Sequence, residues 1–387
     1  MQPTRWSTLF FPTSSGATHK KTGTDWLLSS GYLTRVDRGV YGWLPLGQRV
    51  VGAMDHLTRT TAERLGYSEM GLPLLQPLVV WEASDRYEQL GDLLTRVPMK
   101  AGEYVLNSTQ EEVVEMVLAS HGNFAGARLF QLSDRVRNEL RPAHGLTRSL
   151  TFKLAEWYCF AESNEAIRKE LVVLRTELAS ALERLGLATT YVQHRERLDL
   201  TSVAVTSTAD VRQFRYSICT GCTYTFRPEL EVCPQCGGRC EVTAAVEAAD
   251  VFARAAVGAL RGHRYVGAGL GVYRTISLVA ENLANGIRLC WPRAICPFDV
   301  NMIVGDNGAV ESEQVARHLS AAGHSVIIDD RPLRFGRKLF DAKCLAAPLE
   351  IIFKPDGRVE LNDRVHDKAT VVAGGAAEAA VRILEEQ

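Results

Sequence analysis

Cys219-Thr-Gly-Cys222 and Cys233-Pro-Gln-Cys236 set two C-x-x-C turns, separated by ten residues, inside a stretch (210–242) rich in cysteine and poor in aliphatic side chains. A segment so short and polar cannot bury enough apolar surface to hold a fold alone. Four thiolates on two tight turns suit tetrahedral Zn(II), and metal binding would replace the missing core. The other reading of such thiols is buried or redox-active groups. Two knuckles in register favour structural zinc on Cys219, Cys222, Cys233 and Cys236, with Cys240 as a spare that could replace a neighbour. The 210–242 stretch therefore reads as a small inserted module.

Around it the chain has the composition of an ordered protein. Its 387 residues predict two or three domains, with 46% hydrophobic and 23% charged residues. Lys and Arg number 44 against 45 Asp and Glu, a net charge of -1, which excludes nucleic-acid binding by bulk basicity and leaves a local basic groove open. No apolar run reaches the ~20 residues that cross a bilayer, and the first residues are too short in apolar content for a secretory segment. Nine cysteines, an odd number in a long chain, argue against a disulfide scaffold. The expectation is a cytoplasmic protein with no membrane contact.

Periodicity predicts a short helix at 25–34, a hairpin around Val40, Tyr41 and Trp43, a helix at 46–65 stopped by Gly66, and an extended run at 69–75. A helix over 109–120 opens with Thr109, a candidate cap, and Glu112 is placed to close a capping box. Strands at 129–137 and 152–160 flank a loop rich in Arg, Pro and Gly, followed by a helix at 164–185 and a strand at 189–193. Runs joined this way predict a mainly antiparallel sheet with helices packed on it. From 298 the order changes to strand (298–304), helix (310–322), strand (324–328), helix (337–346), strand (349–353) and helix (374–386), a separate α/β domain.

Arg137 and Glu139 share one face of their strand. Alone they would read as a structural ion pair. With Arg141, Arg148 and Arg274 there are more guanidinium groups than local carboxylates balance, and such clusters await a polyphosphate. Gly267-Ala-Gly269-Leu-Gly271 is a weak nucleotide-loop signal; it reads as close backbone approach, either to packed side chains or to a ligand, with Arg274 at the following helix start aimed at phosphate.

These residues carry a resemblance. Gly39 to Gly47, Gly71-Leu-Pro-Leu-Leu-Gln-Pro77 with Trp81-Glu82, Asn107-Ser-Thr-Gln-Glu-Glu112, Arg137-Asn-Glu139 through Phe152, Gly269-Leu-Gly-Val-Tyr-Arg274 with Trp291-Pro292 and Pro297-Phe298, and Asp329-Asp330-Arg331 with Gly336 and Lys338 occur in the order found in class II aminoacyl-tRNA synthetases. Among these the chain resembles the bacterial prolyl-tRNA synthetases, over nearly its whole length except 195–245. The resemblance implies a catalytic domain at 1–209 and 243–297 interrupted by the zinc-knuckle insert, and an anticodon-binding-like domain at 298–387. It implies that Arg137, Glu139 and Arg274 are catalytic, with Arg137 and Arg274 on the α- and γ-phosphates of a bent ATP, Phe152 against adenine, and Arg148 in the same site. Mg(II) would bridge phosphates and carboxylates. Thr109 and Glu111 would receive the substrate ammonium, and Glu156, Trp157, Asp250 and Phe252 would shape the amino-acid pocket. Arg141, His144, Arg331, Arg337, Lys338 and Lys343 would contact tRNA. The 71–82 segment would form a homodimer interface. The implied reaction is ATP-dependent activation of proline, or a proline-like amino acid, and transfer to the 3′ end of tRNA.

Four departures temper that pattern. The interval between 152 and 269 is too short for the editing domain usual in bacterial members. Ala249-Asp250-Val251-Phe252 stands where the family has Gly-His-Ile-Phe, and Trp157 where a small residue is usual. Ala143-His144 replaces an arginine after the proline of the 137–152 loop. Lys343 stands where a guanine-reading glutamate is expected, and a lysine accepts no N–H donors. Two alternatives follow: a paralogue activating another amino acid for a specialised tRNA or carrier, or a tRNA-binding module without catalysis.

Overall fold

The strand runs around the arginine-rich loop fold as Arg128–Val136 and Thr151–Cys159, antiparallel from Arg128↔Cys159 to Val136↔Thr151. They belong to a nine-stranded, mainly antiparallel sheet in a computed structural model that describes residues 2–12, 22–84, 86–122, 124–196, 200–207, 211, 213–256, 260, 262–285, 288–305 and 309–386. The chain divides into two compact units. One comprises Met1–Arg35, Tyr41–Met54 and Val279–Gln387; the other comprises Val36–Val40 and Asp55–Leu278.

The second unit is built on the large sheet. Its longest strand, Cys240–Ala255, pairs antiparallel with Arg264–Gly271, which in turn pairs with Thr151–Cys159. On its other edge Cys240–Ala255 pairs with Phe214–Cys219 over its first part and with Leu200–Val205 over its second. Thr189–His194 pairs with both Leu200–Val205 and Thr225–Arg227, and Thr225–Arg227 with Phe214–Cys219, so five strands close a ring. Val192, Ala204, Phe214, Tyr216 and Ala245 fill it. The cysteine-rich stretch is thus a lobe whose strands continue the main sheet, Cys219 pairing with Cys240. Its expected start, at 209/210, lies outside the described residues. The helix Asn164–Arg184 begins where the Ser163 side chain accepts the Ala166 N–H.

One expectation is corrected in this unit. The helix after Thr109 is Glu111–His121, with Gln110 at its N-cap and no side-chain cap. The Thr109 hydroxyl instead donates to the Glu112 carboxylate (3.3 Å), so no capping box forms. The glycine-rich 267–271 run, a weak nucleotide-loop signal, shows the close backbone approach expected of it, to Phe252 and Asp250. It is the end of the strand Arg264–Gly271, running directly into the helix Val272–Asn282.

The first unit carries a six-stranded sheet. Thr4–Arg5, Val326–Asp329, Val300–Val304 and Leu349–Phe353 run parallel, and Val359–Asp363 and Lys368–Val372 add antiparallel strands at the far edge. Ala309–Ala321 and Ala376–Glu386 cover a core of Val300, Met302, Ile328, Ile351 and Leu384, and Ile303 and Ile352 pack on the side of Phe335–Leu345. The alternating helices and strands from 298 match the sequence pattern. The antiparallel pair and Thr4–Arg5 add to it. No helix among the described residues is long and apolar enough to cross a membrane.

Candidate active site

Where Thr151–Cys159, Arg264–Gly271 and Cys240–Ala255 lie side by side, alternation sends Glu156, Gly269, Asp250, Phe252 and Arg254 to one face. That face floors a cavity of about 920 Å³ in the second unit. Arg137, Glu139, Arg148, Phe152, Arg274, Thr109, Glu111, Glu156, Asp250 and Phe252 all line it. Residues spread over 165 positions of sequence therefore converge (109 to 274).

The guanidinium of Arg137 lies over the Phe152 ring at 4.9 Å. Its Nε is buried without a partner and its remaining contact is a long one to the Ser108 carbonyl (3.5 Å). Arg274 enters from the first turn of Val272–Asn282 and donates to two backbone carbonyls, Glu247 (2.6 Å) and Thr147 (3.2 Å). Burial lowers the pKa of both arginines, a sign that the charge of each is poorly compensated. Neither makes an ion pair among the described residues. Glu139 is paired with Arg148 through Nε (2.9 Å) and Nη2 (2.8 Å), not with Arg137.

Glu111 opens its helix with Oε1 against Arg86 (2.6 Å) and Arg254 (3.8 Å), while Oε2 is buried without a partner. Burial alone would raise its pKa; Arg86 and then Arg254 bring it down to about 2, so it stays a carboxylate. Glu156 is fixed by the fully buried Arg135 and by Gln131. Asp250 is different. Burial, then Glu247, Glu156 and Glu111, push its carboxyl up to about 8 against the smaller opposing pull of Arg137.

Trp157 does not reach the cavity. Strand alternation turns it to the opposite face, where it is fully buried and packs on Phe130 with ring centroids 5.0 Å apart. Arg141 and His144 are exposed on the loop and lie outside the cavity lining, His144 at φ 57. In the first unit, Arg331 is tied to Asp329 (2.7 Å) and Asp341 (2.9 Å) and lies over the Trp6 ring at 4.1 Å. Lys338 is buried, its Nζ donating to the carbonyls of Val304 (2.9 Å) and Asp329 (3.1 Å). Both are held as parts of the fold, which the charge cluster in the sequence did not distinguish. Arg337 pairs with Asp341 but is nearly half exposed, and Lys343 is exposed.

The sequence also concealed cavity residues. Arg86 sits on the short helix Arg86–Leu90, without a motif. Glu247 lies three residues from Asp250 yet lines the same cavity. The register skips a residue here, Val203 facing Ala249 and Ala204 facing Glu247, so a bulge at Ala248 flips the alternation. The Glu247 carboxylate accepts the Ser202 hydroxyl, which meets His194 Nε2 at 2.8 Å.

The sulfurs of Cys219, Cys222, Cys233 and Cys236 lie within 4.8 Å of one another, a cluster that could hold a metal ion. Amide N–H groups of Cys222 and Gly221 point at Cys219 Sγ (3.4 Å each) and help pull that thiol down to about 6. Cys240 lies outside the cluster.

No protein-family model matches the chain. It is 25% identical over 380 residues to a mouse protein described as "Probable proline–tRNA ligase, mitochondrial", covering 88% of this chain and 78% of that one. It is 24% identical over 408 residues to the proline–tRNA ligase of Xanthobacter autotrophicus, covering 90% and 92%. The prolyl-tRNA synthetase of Cryptosporidium parvum, solved with halofuginone and AMPPNP, superposes with a TM-score of 0.77 over 95% of this chain and 79% of that one, at 14% identity. The chain has the fold of a class II synthetase of the prolyl type.

Proposed function

We propose that this chain uses ATP to activate proline, or a close analogue, as an aminoacyl-adenylate and then transfers the aminoacyl group to the 3′ end of a tRNA. The observation that carries the reading is a pair of half-buried guanidinium groups, Arg137 and Arg274, lining one cavity with no ion partner among the described residues. In the first step a substrate carboxylate oxygen bonds to the α-phosphorus. The bond from that phosphorus to the bridging oxygen breaks, and pyrophosphate leaves with the electron pair. Negative charge grows on the phosphate oxygens, and fixed guanidinium groups stabilise it more than they stabilise the ground state. Phe152 offers a flat face already shared with Arg137, suited to an adenine ring. Glu111 and Thr109, both in the lining of the same cavity, would accept the substrate ammonium. In the second step a ribose hydroxyl attacks the acyl carbon and AMP departs.

Glu139 and Glu247 fit Mg(II): each lines the cavity and engages one carboxylate oxygen, Oε2, in a hydrogen bond, leaving hard oxygen for a metal. When bound, the ion would neutralise phosphate charge. The Cys219, Cys222, Cys233 and Cys236 set fits structural zinc, with thiolates converging on one point. Protein purified without chelator would carry about one zinc per chain; a content near zero would overturn that assignment. The 71–82 segment as a homodimer contact, Arg337 and Lys343 as tRNA contacts, and a cytoplasmic site of action belong to the same reading. The deciding measurement is ATP–pyrophosphate exchange across a panel of amino acids, followed by acylation of proline tRNA. Tight tRNA binding with no exchange for any amino acid would favour the non-catalytic module instead.

A further inference from the structure

Among the described residues five carboxylates line the cavity: Glu111, Glu139, Glu156, Glu247 and Asp250. Four have partners. Glu111 is held by Arg86, Glu139 by Arg148, Glu156 by Arg135 and Gln131, and Glu247 by Ser202. Asp250 makes no hydrogen bond or ion pair among the described residues. Its position is nevertheless built. Gly269 faces it on the neighbouring strand, and a Cβ there would lie 2.8 Å from Asp250 Oδ1. The carboxyl group thus lies over bare backbone at the cavity floor. Phe252 lies over Gly267 in the same way and supplies an apolar wall beside it.

The α-ammonium of a substrate has another acceptor in the same cavity, because Glu111 lines it and stays a carboxylate beside Arg86 and Arg254. A secluded carboxyl without a partner costs free energy, and a ligand that brings a donor recovers it. Proline's ring brings none beyond that ammonium.

We propose that Asp250 is a specificity-determining residue that receives a hydrogen-bond donor, a hydroxyl or a protonated nitrogen, carried on the ring or side chain of the activated amino acid. The site then prefers a donor-bearing analogue of proline to proline itself. The inference rests on the activation reading above and narrows its substrate class. A site built to bond a substrate donor discriminates strongly against the analogue lacking it, since its own polar group is left unpaired.

The test is ATP–pyrophosphate exchange by the full chain with proline, both diastereomers of 4-hydroxyproline, pipecolate and piperazine-2-carboxylate. The wild type is expected to show kcat/KM at least about tenfold higher for a donor-bearing ring than for its hydrocarbon counterpart. The hydroxyprolines and piperazine-2-carboxylate separate the hydroxyl from the nitrogen. Asp250→Ala should bring the ratio to about one by losing only the donor-bearing substrate. Asp250→Asn, of the same size, guards against a folding defect; it should keep part of a hydroxyl preference and lose an ammonium preference. Two results overturn the inference while leaving the activation reading intact: proline used best and unaffected by Asp250→Ala, or every amino acid slowed equally by it. Silence with every amino acid overturns both.

Discussion

Arg274 holds its place through two backbone carbonyls rather than a carboxylate, so its charge is available to a ligand. Arg274→Ala should lower the exchange rate about 10²- to 10³-fold, as loss of one oriented donor to developing charge does. Single-turnover kinetics with saturating ATP would check it, and full activity would refute the site. Asp250 supports a second expectation, on stability. Its pKa is raised from an ordinary 3.8 to about 8 by burial and then by Glu247, Glu156 and Glu111. Between these values the folded chain keeps a proton that the unfolded chain has released, so stability falls as pH rises through that window. Asp250→Asn removes the dependence. Its Tm should therefore gain on the wild type from pH 5 to pH 8, and parallel Tm curves would count against it. Glu111, held near 2 by its arginines, acts oppositely, losing stability only as pH falls below the ordinary carboxylate range. At this scale residues that sit in motifs were legible, since chemistry restricts their type and spacing. Arg86 and Glu247 stayed hidden, one because a lone arginine carries no periodic signal, the other because the bulge at Ala248 breaks alternation. Trp157 misled for the complementary reason: adjacency to Glu156 in sequence means opposite faces in a strand.

The strand Arg264–Gly271 shows what composition hides at the level of elements. Three glycines in five residues read as close backbone approach without naming an element, and the run is central in the sheet. Gly267 is there because its neighbour needs the space: a Cβ would lie 2.6 Å from Phe252 Cε2. Gly267→Ala should destabilise the protein by about 1–3 kcal/mol, the usual cost of overpacking, read by urea denaturation. Because Phe252 lines the cavity, the same change should raise KM for the amino acid more than KM for ATP. An unchanged denaturation midpoint would mean that Phe252 moves freely. Long periodic elements were legible because burial of one face leaves its period in the sequence, as in Asn164–Arg184 and the strands flanking the arginine loop. Thr4–Arg5 is too short to carry a period, and the pair Val359–Asp363 and Lys368–Val372 lies among polar residues that blur one.

For the molecule as a whole, the N-terminal residues matter to a sheet whose other strands begin almost three hundred positions later. Thr4–Arg5 extends the parallel sheet, and Trp6 follows it into the same unit, 2% exposed. The indole donates to Asn301 Oδ1 (3.3 Å), meets Phe11 edge-on at 4.9 Å and carries the Arg331 guanidinium over its ring. Arg331 is in turn clamped by Asp329 and Asp341, so the basic cluster read from sequence as a tRNA surface includes one member that closes a core. Trp6→Ala removes the stack and leaves a void, at a cost of about 3–5 kcal/mol. The loss should be local if the two compact units unfold separately. Hydrogen exchange should then accelerate in Val300–Val304 and Val326–Asp329 and stay unchanged in Arg128–Val136 and Thr151–Cys159. Equal acceleration in all four strands would instead show one cooperative whole. Proline-independent ATP binding to the Arg137–Arg274 cavity should persist in the first case, because every residue lining that cavity lies in the unit that Trp6 does not belong to.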